Sequence, residues 1–219
     1  RRVIFEPIMI FTSDNGALDA SKGGSGSNGP LRGSKGTTWD GGQRVPCIVR
    51  WPGHVAAGVE CDQMATAMDF YPTLAALAGA SLPDDRVIDG DDISPLLGLA
   101  GNVVDNDRDF FFIRGANIGA VRRGRWKLHL VRDGQDVTEL YDLTSDIGEA
   151  HDVAAEHPII LATLRASIEA GRAALGDERL GINGSEIRPI GRVDDPAPLT
   201  EFDPTHPYFM AEYDLHHRG

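Results

Sequence analysis

Cysteine is scarce: 219 residues contain two, Cys47 and Cys61. Two thiols cannot build a disulfide framework, and no C-x-x-C pair or His/Cys cluster points to zinc. A single Cys47–Cys61 bridge stays open beside two buried free thiols, and the free thiols are the expectation. Long hydrophobic runs are missing as well. Runs such as residues 8–11 and 110–113 suit buried strands, and all fall well short of the roughly 20 residues that cross a bilayer, which excludes a membrane-spanning helix. Positive charge is in deficit, with 21 Lys and Arg against 33 Asp and Glu for a net charge of −12. A nucleic-acid partner, which needs a basic face to displace counterions, is therefore not expected. No secretory n-region, apolar h-region and cleavage site open the chain. It starts Arg1-Arg2, without an initiator Met, and is expected to be the C-terminal piece of something longer, so its compartment stays unknown.

What is present is the composition of an ordinary globular chain, 41% hydrophobic and 25% charged. Ile8-Met9-Ile10-Phe11-Thr12 is a continuous apolar run that predicts a fully buried parallel strand of an α/β sheet. Its end delivers Ser13-Asp14-Asn15-Gly16, where open α/β sheets place their sites. Residues 16–42, with nine glycines, read as one long loop before a strand over residues 45–51. Asp69 as N-cap, Pro72 in the first turn, Leu74 and Leu77 on one face and Gly79 as stop predict a helix. A helical turn follows near residues 93–97. From residue 108 the pattern becomes an antiparallel meander of strands over 110–114, 118–122, 126–131 and 139–143, with turns at Arg123-Gly124 and Asp133-Gly134. Pro158, the stripe Ile160, Leu164, Ile168 and Leu175, and Gly176 predict a closing helix. The expected division is residues 1–107, then 108–176, then an irregular tail over 177–219.

Asp14 and Asn15 form a pair of hard oxygen donors suited to calcium or magnesium; the same dipeptide also suits an Asx-turn leaving a strand. Residues 21–50 carry five basic residues, Lys22, Arg32, Lys35, Arg44 and Arg50, against the single acid Asp40. A cationic, glycine-rich loop in an acidic chain provides what an anion site needs, and Lys35 beside Gly36-Thr37-Thr38 is its candidate donor. The spacing is not that of a phosphate-binding P-loop. Arg44 is expected to anchor the loop through an ion pair, His129 to be a satisfied sheet histidine, and His54 to lie on the surface. His216-His217 stand too near the end to interpret, and Asn183-Gly184-Ser185 is a glycosylation sequon.

Three stretches taken together resemble one family. They are Phe11-Thr12-Ser13-Asp14-Asn15-Gly16, then Lys35-Gly36-Thr37-Thr38-Trp39-Asp40-Gly41-Gly42-Gln43-Arg44-Val45-Pro46, then Trp51-Pro52-Gly53. Met68-Asp69-Phe70-Tyr71-Pro72, Asp89-Gly90-Asp91-Asp92-Ile93-Ser94-Pro95, Trp126-Lys127-Leu128, Glu139-Leu140-Tyr141-Asp142-Leu143 and Gly148-Glu149 extend the match. The chain is similar to formylglycine-dependent sulfatases, arylsulfatases in particular. The resemblance implies an α/β, alkaline-phosphatase-like fold, here the C-terminal part of the main domain plus a small subdomain of antiparallel sheet and helix. It also implies sulfate-ester hydrolysis, a divalent cation (calcium, with magnesium as the alternative) held by Asp14 and Asn15, and a sulfate contact by Lys35 in a catalytic and substrate-binding role.

The family's nucleophile, a formylglycine made from Cys or Ser in Cys/Ser-x-Pro-x-Arg, has no match in this sequence. Cys47 and Cys61 have no Pro two residues on, and Ser81-Leu82-Pro83-Asp84-Asp85 carries an acid where Arg is required. The chain is therefore expected to hold about half a site and to be inactive alone. A phosphoester hydrolase of the same fold and a non-catalytic binding remnant remain as rival readings. Residues 1–105 alone are expected to be aggregation-prone and limited proteolysis to leave residues 108–176; preferential survival of the first piece would contradict that division.

Overall fold

The computed structural model describes residues 7–18, 26–98, 107–192 and 194. Residues 1–187 form one compact unit and 188–219 a second, of which only 188–192 and 194 are described, without regular structure. The division expected after residue 107 adjoins residues 99–106, and His216-His217 and most of the tail likewise lie outside the described residues. No described helix is long and apolar enough to cross a membrane.

The meander forms as the alternation predicts. Strands β3 (Asp109–Arg114), β4 (Asn117–Arg123), β5 (Trp126–Arg132) and β6 (Gln135–Asp142) make one antiparallel sheet in sequential order. Strand β6 begins four residues earlier than its apolar stretch suggested, because the Asp133-Gly134 turn, with both residues at positive φ, pairs Arg132 directly with Gln135. Helix α3 (Pro158–Leu175) lies on one face, and Gly176 at φ 83° ends it. Leu164 and Ile168 from this helix, Ile118 and Val121 from β4, Leu128 and Leu130 from β5 and Leu140 from β6 form the main core. Burying side chains of this size contributes about 1.5–3 kcal/mol each before the entropy cost of ordering them.

The N-terminal strand departs from expectation. Strand β1 (Met9–Thr12) pairs antiparallel with β2 (Cys47–Arg50), and the two make a ribbon on their own rather than joining a parallel sheet. Phe11 is 68% exposed and its partner Ile48 61% exposed. A continuous apolar run encodes a tendency to be covered but carries no information about partner direction. Cys47 and Cys61 are free, as expected, but both are exposed rather than buried, because each sits on this ribbon or the loop after it instead of in the core.

The second helix also starts differently. A 3-10 turn over Ala67–Asp69 leads into α2 (Phe70–Leu77), and Thr66 rather than Asp69 stands at the cap position, its N–H donating to the Asp69 carboxylate. Asp69 is fully buried and has more to do than cap. Its carboxylate accepts backbone N–H groups of Thr66 at 2.6 Å and Asp91 at 2.9 Å, and both guanidinium nitrogens of Arg108, at 2.7 and 2.5 Å. Burial pushes this carboxyl up, but the hydrogen bonds from Arg108, Asp91 and Thr66 and the charge of Arg108 outweigh it and leave it below its usual value of 3.8. The stability it contributes is present above the unfolded carboxyl value and is lost as pH falls through the lower folded one. Arg108→Ala, which strands a buried carboxylate, is expected to cost about 3–5 kcal/mol in urea unfolding at neutral pH. A loss under 1 kcal/mol would show that this clamp is not structural.

Candidate functional site

The second face of the four-stranded sheet is where sequence reasoning missed most. Lys127 and His129 alternate with Leu128 and Leu130 along β5, and His129 makes the partner contact expected of a sheet histidine, to Glu149. Both are fully buried, because residues 32–43 lie across that face, with Trp39 against His129 and Asp40 against Lys127. Gly119 on β4 makes room for them: a side chain there would meet the Thr38 methyl and the Val131 carbonyl at 3.0 Å.

Lys127 lies between two carboxylates, with its Nζ 2.8 Å from Asp40 Oδ1 and 2.8 Å from Glu149 Oε1. The same ammonium rests over the Phe112 ring, 3.8 Å from the centroid. Glu149 Oε1 also meets His129 Nε2 at 3.1 Å, and Glu149 Oε2 accepts the Asp40 N–H at 2.8 Å. Arg122 approaches the other oxygen of Asp40 at 3.6 Å, so two carboxylates face two cations. Trp39 stacks against the His129 ring at 4.5 Å and carries the Arg32 guanidinium 3.8 Å above its own.

Burial, followed by the nearby Lys127 charge, lowers the His129 pKa below 6.5 despite the Glu149 hydrogen bond, so the ring is neutral. A neutral ring that donates from Nε2 to Glu149 leaves Nδ1 as a bare acceptor, which accounts for that buried atom having no partner. Burial also raises the Glu149 carboxyl, but His129, the Lys127 charge and the Asp40 N–H pull it net below 4.5.

The loop that covers this cluster carries the residues singled out from sequence. A short helix, α1 (Asp40–Gln43), ends it. Lys35 is exposed, and its backbone N–H donates to the Ala17 carbonyl at 3.0 Å. Gly16 N–H donates to the Gly42 carbonyl at 3.0 Å, and Ala17 N–H to Asn28 Oδ1 at 2.7 Å. The segment Asp14–Ala17 is thus stitched to the lysine loop by backbone hydrogen bonds and by the Asn28 side chain, which also reaches the Gly33 carbonyl. Contact there is close: a Cβ on Gly16 would fall 1.8 Å from the Gly41 carbonyl oxygen, so only glycine fits. Asp14 is exposed and Asn15 half-buried at the end of β1. Among the described residues the side chains of Asp14, Asn15 and Lys35 have no hydrogen bond or ion pair, leaving two oxygen donors and one ammonium unengaged. No group of three or more metal-ligating side chains occurs among the described residues.

Arg44 makes no side-chain hydrogen bond or ion pair among the described residues, contrary to expectation. Arg32 anchors the loop instead, donating from Nη1 to the Glu149 carbonyl at 2.6 Å with its guanidinium 3.8 Å from the Trp39 ring centroid. His54 is exposed, as expected, and stacks on Trp51 at 4.0 Å.

The family model described as N-sulphoglucosamine sulphohydrolase, C-terminal, matches residues 34–173, which includes Lys35, Asp40, Lys127, His129 and Glu149. The chain belongs to the sulfatase family. This sulfatase chain is 48% identical to the N-acetylgalactosamine-6-sulfatase of Rattus norvegicus over 124 residues, covering 56% of itself and 23% of that relative. It is 38% identical to arylsulfatase A of Homo sapiens over 190 residues, covering 73% of itself and 36% of the human protein. The crystal structure of Ps i-CgsB, in complex with k-i-k-neocarrahexaose, superposes with a TM-score of 0.65 at 34% identity, over 74% of this chain and 36% of that one. The chain therefore has the alkaline-phosphatase-like sulfatase fold of its C-terminal portion, and spans about a quarter to a third of the length of these relatives.

The neutral His129 generates a pH prediction. Below 6.5 the unfolded chain takes up a proton that the folded one resists, so stability falls as pH drops through that value. His129→Gln keeps a donor for Glu149 and removes the titration. Urea unfolding at pH 7 and pH 5.5 is expected to show a smaller stability difference for the variant than for the parent. Equal differences would place the acid sensitivity elsewhere.

Proposed function

We propose that this chain supplies the lysine and cation side of a sulfate-ester hydrolase site. The observation that carries the reading is the hydrogen bond from the Lys35 N–H to the Ala17 carbonyl. It ties the lysine turn to the segment bearing Asp14 and Asn15, whose side chains are unengaged. Asp14 and Asn15 offer hard oxygen donors that fit calcium first and magnesium second, as two of the 6–8 ligands that calcium takes. When bound, a divalent cation neutralises sulfate oxygens as a Lewis acid. Lys35 donates to a sulfate oxygen as a mobile point charge, which suits an anion whose charge grows as the ester bond breaks. Membership of the family and the named activities of the relatives support sulfate over other esters.

No residue of this sequence matches the formylglycine segment, so turnover requires a nucleophile from outside these 219 residues. The purified chain is expected to show no aryl sulfate hydrolysis. It is expected to bind calcium in a titration that Asp14→Asn weakens about tenfold or more, and to bind inorganic sulfate in a manner that Lys35→Ala abolishes. Hydrolysis by the chain alone, lost in Lys35→Ala, would overturn the half-site reading. Tighter binding of inorganic phosphate than sulfate would favour a phosphoester hydrolase instead.

A further inference from the structure

The buried ion cluster and the candidate ligands are joined by a continuous series of contacts. Glu149 is the origin. Its carbonyl accepts from Arg32 and its carboxylate from the Asp40 N–H, so one residue grips the covering loop at two places eight residues apart. The Arg32 carbonyl in turn accepts the Gly41 N–H at 2.8 Å, closing the loop into a ring with Lys35 on its outer side. From the closed ring, Gly42 holds Gly16, and Lys35 holds Ala17. Lys127 completes the grip by binding both Glu149 and Asp40.

Glu149 pays a conformational cost to sit there. Among the described residues it is one of two non-glycines at positive φ, 51°, a backbone state that costs an ordinary side chain of order 1–3 kcal/mol. The Asp146 turn supports it: the Asp146 carbonyl accepts the Glu149 N–H, and the Asp146 carboxylate accepts the N–H groups of Ala150 and His151. A strained, fully buried acid whose carboxylate engages Lys127, His129 and the Asp40 N–H is over-determined for packing alone.

The geometry points to Glu149 and Lys127 as positioning residues that set the placement of Lys35 and of the Asp14-Asn15 pair, acting through Arg32, Asp40 and the Gly41–Gly16 contact. They touch neither substrate nor cation. The inference rests on Lys35, Asp14 and Asn15 being the site.

The test is backbone amide exchange by NMR together with titration of inorganic sulfate, on the full 219-residue chain and on Glu149→Gln, Arg32→Ala and Lys35→Ala. Glu149→Gln and Arg32→Ala are expected to raise exchange about tenfold at the amides of Gly16, Lys35 and Gly41, leave Leu128 and Leu140 protected, and weaken sulfate binding about tenfold. Lys35→Ala is expected to remove sulfate binding and leave the Gly16 and Gly41 amides protected. Parental exchange and parental sulfate affinity in both Glu149→Gln and Arg32→Ala would overturn the inference. So would a uniform rise that includes Leu128 and Leu140, the mark of a purely structural role. Should Glu149→Gln not fold, Arg32→Ala decides, since that side chain is exposed. A parent chain without Lys35-dependent sulfate binding would overturn the site reading, while amide exchange would still decide the positioning.

Discussion

An ammonium group with no access to water is the constraint around which the small sheet and its covering loop are organised. Lys127 is fully buried, and removing an ion of its kind from water costs several kcal/mol even after the surroundings relax. Only close partners offset that cost. Asp40 arrives from the loop and Glu149 from the turn beyond β6, so the three charges cannot be satisfied until three distant pieces of chain have come together. Such a cluster adds little net stability compared with an apolar filling, but it tolerates few alternative arrangements. That suits a place where a loop rich in glycine has to be held in one conformation.

The sheet therefore has two buried faces with different jobs. One, built from leucines and isoleucines against α3, supplies hydrophobic stabilisation. The other, built from Lys127, His129 and Tyr141 under Trp39, supplies registration, since ion pairs and ring contacts depend on direction where hydrophobic burial does not. The Asp69–Arg108 clamp repeats the same device on a smaller scale, fastening the start of α2 and the Asp91 loop to the chain that enters β3.

Much of this was legible in the sequence, and what was not has a common cause. The strands of the meander and helix α3 follow from alternation and from an apolar stripe, because those elements bury one face against the other. Lys35, Asp14 and Asn15 were singled out as candidates from residue chemistry and from resemblance. His129 was expected to be a satisfied sheet histidine, and Lys127 and Glu149 stood only within the family-like segments; their joint burial in one ion cluster was not legible, because it depends on the path of the covering loop. The direction of β1 was illegible for a related reason: composition reports how much a strand wants to be covered, never by what.

Gly16 and Gly41 meet through bare backbone, with no room for even one methyl group between them. The segments that carry the candidate ligands are consequently held largely by atoms every amino acid shares, with the Asn28 amide on Ala17 as a side-chain exception. The same arrangement leaves no intermediate route at the contact itself. A lineage can vary the walls around this site freely, but the first side chain to appear at position 16 separates the two halves of it in a single step.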